Sequence, residues 1–550
     1  MRSITGAAQI SRGIFANSAV ESLDTCREGI LSTPTTTPPA AKSDWERHSH
    51  QDKELVQGLG LTSATMLVIG SMIGSGIFIV SAEIGREVGS PALLIGAWLV
   101  TGLMTIVAAL SYGELAAMMP RAGGQYVYLR EALGPLWGFL YGWTLFLVIQ
   151  TGTIAAVGVA FGKFLGVFIP SISSSNWILH LWKVPPIRVG PMVLGNMDVG
   201  INTQNLMAIL LTIILSVVNI FGLKTGAAIQ NIFTTAKVLA LLGLAALGFA
   251  FCRNPEAILA NFSGHFWHNA GLLSLHDIGG GVFVSTLTVL AVAQVGSLFS
   301  ADAWNNVTFT AGEVKNPSRN LPLSLAVGTG VVIALYIACN FVYLAALPLE
   351  GTAAAATILA RGITHATEDR VATAVLTQGF GSKGGFMMAA AIMISGFGCM
   401  NGLILSGARV YYAMAKDGLF FRKVAKLHPR YKTPAVSLMV QMVWTCVLCI
   451  SGSYGQLLDY IIFAVLVFYI LTIVGLFVLR RTHPDAPRPY RAVGYPVLPL
   501  VYIGMALFID VVLLRYKPQY TWPGLIVVLL GIPVYYAWSA RRPQENLHES

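Results

Sequence analysis

A glycine-rich segment, GSMIGSGIF at residues 70–78, lies in a run that carries no charged residue from residue 61 until Glu83. Gly70, Gly74 and Gly76 each weaken a helix by about 1 kcal/mol relative to alanine. Backbone N–H groups that are freed by unwinding can bind a carboxylate, helped by the dipole of the following half-helix. Small residues also allow two membrane helices to pack closely. On this segment alone, binding and packing are equally good interpretations.

A second polar segment, FSADAWNN at residues 299–306, also lies inside an apolar run. Asp302 and the two asparagines are costly in lipid unless they face protein or water. The segment follows the first one by five predicted spans, and two broken helices in corresponding halves of a chain are typical of inverted-repeat transporters. The pair of segments therefore favours a binding site. The alternative interpretation of Phe299 is a core or lipid-facing aromatic residue.

Lys237 lies about ten residues inside another apolar run. An ammonium group buried in a membrane needs a partner or must lose its proton. The alternative is a lysine whose long side chain reaches the membrane interface. Its depth in the span favours a buried role.

The composition indicates that lipid surrounds these segments, because 55% of the 550 residues are hydrophobic and only 11% are charged. Soluble domains carry about 25% charged residues. Helices satisfy their own backbone hydrogen bonds, which lipid cannot do. The hydropathy predicts an all-α membrane protein with about twelve spans, near residues 61–88, 91–119, 133–167, 204–221, 227–251, 282–310, 323–347, 385–415, 435–451, 457–479, 497–514 and 522–538.

The net charge of +10 is a signal of topology, not of nucleic acid binding. Lys and Arg are concentrated in the loops and tails that would face the cytoplasm if both termini lay there. We therefore expect a multi-pass protein of the cell membrane, in contact with lipid, with cytoplasmic termini and no nucleic acid partner. Residues 1–57 are polar, rich in Pro and Thr, and lack an apolar signal region, which predicts a disordered cytosolic tail. Residues 543–550 are the expected C-terminal tail.

Enzyme chemistry is not indicated. The predicted inner loops contain no nucleophile–base pair, metal-ligand cluster or phosphate-binding loop. Cys446 and Cys449 have C-x-x-C spacing, but they lie in a membrane helix without partner ligands, so neither a metal nor a redox site is expected. No cofactor is predicted.

Five stretches resemble the amino acid–polyamine–organocation (APC) superfamily and, within it, the L-type amino acid transporter (LAT) family. They are GSMIGSGIF at 70–78, YGELAAMMPRAGGQYVYLREALG at 112–134, NIFTTAKVLAL at 231–241, FTAGEVKNPSRNLPLS at 309–324 and NGLILSGARVYYAMAKDG at 401–418. The resemblance implies a five-plus-five inverted repeat followed by two extra helices, with the first and sixth spans unwound. The two repeats would cover residues 58–251 and 252–480, and the extra helices residues 481–542.

The resemblance also implies the roles of individual residues. Backbone N–H groups near Ser75, Gly76 and Ile77 would bind the carboxylate of an amino acid. The Phe299 ring would close over the substrate as an outer gate. Lys237, in the matching TTAK context, would take the place of a cation that bridges two spans in sodium-driven relatives. The ammonium of the substrate would bind carbonyls of Met72, Ile73, Phe299, Ser300 and Asp302.

The chain departs from the family pattern at Asp302, where glycine is common in animal members. This carboxylate could bind the substrate ammonium, favour a cationic side chain, carry a proton, or pair structurally with Asn305 or Trp304. Asn305 is therefore also a candidate site residue. The loop at residues 166–203 contains no cysteine, so no disulfide-linked heavy chain is expected.

The sequence thus predicts a sodium-independent carrier of L-amino acids that works by alternating access, coupled to exchange or to proton symport. The alternatives are a cationic amino acid or polyamine carrier and an amino acid sensor that does not transport.

Two further acidic residues stand out. Glu114 is expected to pair with a basic residue of an inner loop, for structure or gating. Asp510 is interpreted as a span-end residue, although it lies deep in its span.

Overall fold

The computed structural model describes residues 54–189, 192–194, 197–264, 266–267, 281–451 and 454–540. Each of the twelve predicted spans has a helical counterpart there. Numbered along the chain, the helices are α1 (Leu61–Met72), α2 (Gly76–Val88), α3 (Pro91–Met118), α4 (Gln125–Leu133), α5 (Pro135–Leu165), α6 (Thr203–Ile220), α7 (Leu223–Cys252), α8 (Pro255–Phe262), α9 (Gly281–Ser300), α10 (Asn306–Phe309), α11 (Pro317–Ala346), α12 (Ile358–Arg361), α13 (Val371–Lys416), α14 (Ala435–Ser451), α15 (Tyr454–Thr482), α16 (Val497–Tyr516) and α17 (Pro518–Ser539).

Within this part of the chain, nine helices are long and apolar enough to cross a bilayer, and the bent pair α1 and α2 adds a tenth. Two shorter apolar helices are α14 and the stretch of α9 from Ser285 onward. The prediction of a helical, multi-pass membrane protein is confirmed. The inverted repeat and its boundaries stay predictions.

The two broken spans pack against each other, α9 against α2 and α10 against α1. Helix α1 packs against α7, α11 and α13, while α2 packs against α9. Small residues permit these close approaches. A Cβ added to Gly328 of α11 would lie 2.6 Å from a methyl carbon of Val68 in α1. Glycine spacing in the sequence therefore serves packing as well as unwinding.

Two helices begin earlier than hydropathy indicates. Helix α13 begins at Val371 instead of near residue 385, and it contains one non-helical residue, Gly381, with φ of 61°. Helix α11 begins at Pro317 instead of near residue 323. The sequence predicted loops at both starts. The start of α13 is rich in polar residues and glycines, and the start of α11 contains two prolines.

The predicted polar loop between the third and fourth spans contains short strands. They are β1 (Trp177–Val184), β2 (Ile187–Val189), β3 (Met192–Leu194) and β4 (Met197–Asn202). Strand β1 pairs antiparallel with β4, and β2 with β3. The description of this segment as loop was wrong, because its aromatic and β-branched residues favour extended backbone.

The predicted tails lie outside the described residues for positions 1–53 and 541–550. The last residues of the N-terminal tail are described and contact the helices. The Leu55 side chain is 5% exposed and packs with Ala122 and Tyr412. The Glu54 carboxylate accepts hydrogen bonds from Tyr412 and Lys416. The packed structure therefore includes residues before position 58, because Leu55 and Glu54 contact side chains of α13.

Candidate functional site

The first span is broken between Met72 and Gly76. Helix α1 ends at Met72 and α2 begins at Gly76, and the two axes differ by 41°. Ile73 has the extended backbone angles φ −75° and ψ 92°. All of residues 67–80 are buried. The break therefore leaves carbonyl groups inside the protein that need donors from other helices.

Lys237 supplies the charged donor. Its Nζ lies 2.8 Å from the Gly70 carbonyl oxygen and 2.7 Å from that of Ile73, and its side chain is fully buried. Gly70 permits this approach, since a Cβ there would lie 2.2 Å from the Thr234 hydroxyl on the same helix as the lysine. The lysine thus bonds the end of α1 and does not extend to the membrane interface.

Helix α13 supplies two more donors to the same break. The Ser395 hydroxyl lies 3.1 Å from the Ile73 carbonyl oxygen and 3.0 Å from that of Gly74. The Cys399 thiol lies 3.1 Å from the Ser71 carbonyl oxygen. The fifth and eighth spans therefore meet at the unwound end of the first span.

Tyr336 of α11 joins the first break to the second. Its hydroxyl lies 3.1 Å from the carbonyl oxygens of both Met72 and Ser300. Gly76 and Ser300 also touch, because a Cβ added to Gly76 would lie 2.2 Å from the Ser300 hydroxyl oxygen and 2.8 Å from its Cβ. The two broken spans are thus in direct contact.

The second break covers residues 301–305, between the end of α9 and the start of α10. Ala303 has a positive φ of 65°, which is uncommon for alanine. The Tyr469 hydroxyl donates to Asp302 Oδ1 at 2.6 Å, and Asn305 Nδ2 donates to Gln125 Oε1 at 2.8 Å. The structural pair of Asp302 with Asn305 or Trp304 that the sequence suggested is therefore replaced by a pair with Tyr469.

A cavity of about 340 Å³ adjoins the second break. Asp302 and Asn305 are the two predicted site residues that line it. Ser75, Gly76, Ile77 and Phe299 lie at the breaks but not on its wall. The lining residues are Gln125, Tyr141, Leu145, Ile149, Gln150, Thr153, Asp302, Ala303, Asn305, Asn306, Phe309, Leu403, Val465 and Tyr469.

The match to a family model decides the identity of this helical arrangement. A model described as "Amino acid permease" matches residues 59–535. The chain belongs to the amino acid permease family. This family is part of the APC superfamily, so the predicted resemblance is confirmed.

Three relatives illustrate what the permease is similar to. The serine/threonine exchanger SteT of Bacillus subtilis is 28% identical, over 90% of this chain and 99% of its own length. The large neutral amino acids transporter small subunit 2 of Homo sapiens is 27% identical, over 88% of this chain and 80% of its own. The Asc-type amino acid transporter 1 of Mus musculus is 27% identical, over 88% of this chain and 81% of its own length. All three are named as transporters or exchangers, not as enzymes.

Several residues of the permease site were missed from the sequence. Tyr336, Ser395, Tyr469 and Gln125 each bond an atom of one break or a residue within it. The sequence did contain a weak indication of these residues. Each is a polar side chain in or beside an apolar helix, where it needs a hydrogen-bond partner. In the described part of the chain, no group of three or more His, Cys, Asp or Glu side chains could hold a metal ion.

Two charged pairs lie on the side of the permease that is predicted to face the cytoplasm. Glu114 accepts from Arg480 at 2.6 and 2.9 Å, and from the backbone N–H of Ala492 at 2.7 Å. The prediction that Glu114 pairs with a basic residue is confirmed. Arg409 and Glu313 form a second pair at 2.9 and 3.0 Å, with both side chains 1% exposed.

The contact of Gly76 with Ser300 predicts that Gly76→Ala impairs the permease. The added Cβ would strain the contact between the two breaks by about 1–3 kcal/mol, and because the substrate would bind between them, we expect uptake to fall about tenfold, since 1.4 kcal/mol of binding free energy is a factor of ten. Gly96→Ala is the matched control, because a Cβ there meets nothing within 4 Å. Radiolabelled amino acid uptake into vesicles that contain equal amounts of each variant measures the effect. Equal uptake by both variants would contradict the close contact.

Proposed function

We propose that the chain carries L-amino acids across the membrane by alternating access without sodium. The bond of the buried Lys237 ammonium to the carbonyl oxygens of Gly70 and Ile73 supports this most strongly. In the predicted topology both tails are cytoplasmic, and the inverted repeat of residues 58–251 and 252–480 lets the substrate site open to one side at a time.

The charge of Lys237 and the bonds already made by the carbonyl oxygens of the break oppose a sodium ion there. A sodium site between the first and eighth spans would use carbonyl oxygens of the break and hydroxyl oxygens of the eighth span. Here Ile73 O already accepts from Lys237 Nζ and from the Ser395 hydroxyl. A second cation beside an ammonium would repel it at short range in a medium of low dielectric constant. The lysine therefore supplies the positive charge as part of the protein.

The amino acid would bind between the two breaks. Backbone N–H groups near Ser75, Gly76 and Ile77 begin α2, where the helix dipole favours a carboxylate. The ammonium would bind carbonyl oxygens of the first and second breaks, those of Met72 and Ser300 among them. Each of these also accepts from Tyr336, but a carbonyl oxygen has two lone pairs and retains capacity for a second donor. Phe299 would close the site as a gate.

Asp302 favours a second candidate substrate class, the cationic amino acids and polyamines. It lines the cavity beside the second break and has Tyr469 as its hydrogen-bond donor. A carboxylate in that wall attracts a positively charged side chain more than a neutral one.

Asp302→Asn decides between these classes. If the carboxylate recognises a cationic side chain, uptake of cationic relative to neutral L-amino acids falls about 10-fold or more, since a hydrogen bond to a charged group contributes about 1.5–3 kcal/mol. Tyr469→Phe is the matched control, because it removes the hydrogen bond and keeps the carboxylate. Unchanged uptake of both substrate classes by Asp302→Asn would make the residue structural.

The proposed function is tested with purified protein in vesicles. Uptake of radiolabelled L-amino acids should rise when the vesicles hold unlabelled amino acid if the protein is an exchanger, and with an inward proton gradient if it is a symporter. The loop at 166–203 lacks cysteine, so no disulfide-linked heavy chain should be needed. Saturable binding with no uptake under either condition would support a sensor instead.

A further inference from the structure

Asp510 is buried in α16 without a hydrogen-bond partner. Its side chain is 4% exposed, and within the described part of the chain neither carboxylate oxygen has a donor. An unpaired negative charge in such a place costs several kcal/mol, whereas a protonated carboxyl group costs much less. The sequence suggested a residue at the end of a span, but the structure places Asp510 on the buried face of the helix.

Among the described residues, no cation on the helices around Asp510 bonds its carboxylate. Helix α16 packs against α3, α9, α15 and α17. Helices α9 and α17 contain no Asp, Glu, His, Lys or Arg, and the one such residue of α3 is Glu114, which bonds Arg480 at the end of α15. Helix α15 also carries Asp459 and Arg481. The remaining titratable residues on these helices are tyrosines: Tyr112, Tyr454, Tyr460, Tyr469, Tyr520, Tyr535 and Tyr536.

A cavity of about 410 Å³ lies one helical turn from Asp510, toward the predicted outer face. Leu513 lines it together with Glu83, Glu87 and Lys517. Leu513 follows Asp510 by three residues, which is about 5 Å along a helix. Lys517 Nζ bonds Glu87 at 2.8 Å, and Glu83 is exposed. Water and protons from the outer side can therefore approach Asp510 to within one turn.

In the other direction, the same face of α16 leads to the second break. Tyr502 precedes Asp510 by about 12 Å along the helix. It lines a separate cavity of about 310 Å³ with Asp302 and Tyr469. Tyr502 and Asp510 are both on the buried face of α16. One helix, α16, therefore carries Asp510 and also lines the cavity beside the second break.

We propose that Asp510 is a proton-binding site that couples amino acid uptake to external protons. This rests on the proposed function and adds its driving ion. One proton from outer water binds one carboxylate oxygen, the charge of Asp510 changes from −1 to 0, and the same proton leaves to inner water after the carrier opens inward. The packed arrangement around α16 favours the neutral form, so the loaded carrier changes conformation with the proton bound, and the empty carrier returns after the proton has left.

The experiment compares accumulation with counterflow in vesicles of purified protein. One pH unit across the membrane, acid outside, is imposed with the membrane potential held at zero. One coupled proton then supports about tenfold accumulation of a neutral L-amino acid, since one pH unit is 1.36 kcal/mol. The wild type should reach that ratio, while Asp510→Asn should equilibrate without accumulation and still exchange labelled for unlabelled amino acid. Asp485→Asn, at an exposed loop aspartate, is the matched control and should accumulate like the wild type.

The outcomes separate this inference from the proposed function. Accumulation by Asp510→Asn equal to the wild type overturns the proton site. Counterflow without any proton-driven accumulation in the wild type also overturns it and leaves an exchanger. Absence of uptake and counterflow for every amino acid overturns the proposed function itself. If Asp510→Asn is not monodisperse after purification, Asp510→Glu serves instead, because it keeps the carboxyl group. Loss of accumulation by a well-folded Asp510→Glu would then count against proton binding.

Discussion

Replacing Lys237 with alanine is expected to lower amino acid uptake by about 100-fold. The variant removes two hydrogen bonds from a charged donor, to Gly70 O and Ile73 O. Bonds to charged groups contribute about 1.5–3 kcal/mol each, and a loss of about 3 kcal/mol corresponds to about 100-fold. It also leaves two buried carbonyl groups at the break of the first span without their charged donor. Initial rates of labelled uptake into vesicles measure the effect.

The matched control is Lys163→Ala, at a lysine whose side chain is 29% exposed and bonds a backbone carbonyl group at the surface. Both variants lose one positive charge, but only Lys237 touches the break. We expect the control to transport like the wild type. Wild-type uptake by a folded Lys237→Ala protein would remove the role of the lysine as a built-in cation.

Replacing Arg409 with methionine is expected to destabilise the protein by about 3–5 kcal/mol, because it leaves the buried Glu313 carboxylate without its partner. Both side chains are 1% exposed, and two hydrogen bonds join them at 2.9 and 3.0 Å. The backbone around Glu313 also holds the segment before α1, since the Glu313 carbonyl oxygen accepts from the N–H groups of Gly58 and Leu59. The pair thus stabilises the position of the segment before α1 as well as the fold.

Thermal unfolding of the purified protein in detergent measures this effect. The control Arg422→Met changes an exposed arginine and should melt like the wild type. The double variant Arg409→Met with Glu313→Leu should recover most of the loss, because apolar residues of similar volume can replace a buried ion pair. A single Arg409→Met variant that melts at the wild-type temperature would contradict the importance of the pair.

The spans were predictable from the sequence because hydropathy reports burial in lipid along the whole length of a helix. The breaks were predictable for a similar reason: glycines at 70, 74 and 76, and Asp302 in an apolar run, are costly unless a specific structure compensates them. The depth of Lys237 in its span correctly indicated a buried ammonium. The sequence could not predict that Lys237 bonds the carbonyl oxygens of Gly70 and Ile73, because the position of these oxygens depends on how α1 unwinds.

The partners across the bundle could not be predicted in the same way. Hydropathy fixes the depth of a residue but not the rotation of its helix, so Tyr469 as the partner of Asp302 and Gln125 as the partner of Asn305 emerged from tertiary packing. The pairing of Glu114 with a basic residue was easier to predict, because the predicted inner loops are rich in Lys and Arg, any of which could be the partner of a carboxylate there. The strands at residues 177–202 were missed because a loop of mixed polarity gives no clear period.

The most direct test of the central claim is the uptake of a labelled L-amino acid by purified protein in vesicles, with all sodium replaced by choline. If Lys237 supplies the cation of the first break, initial rates and final uptake are the same in choline and in sodium. Uptake that appears only when sodium is present would contradict this account.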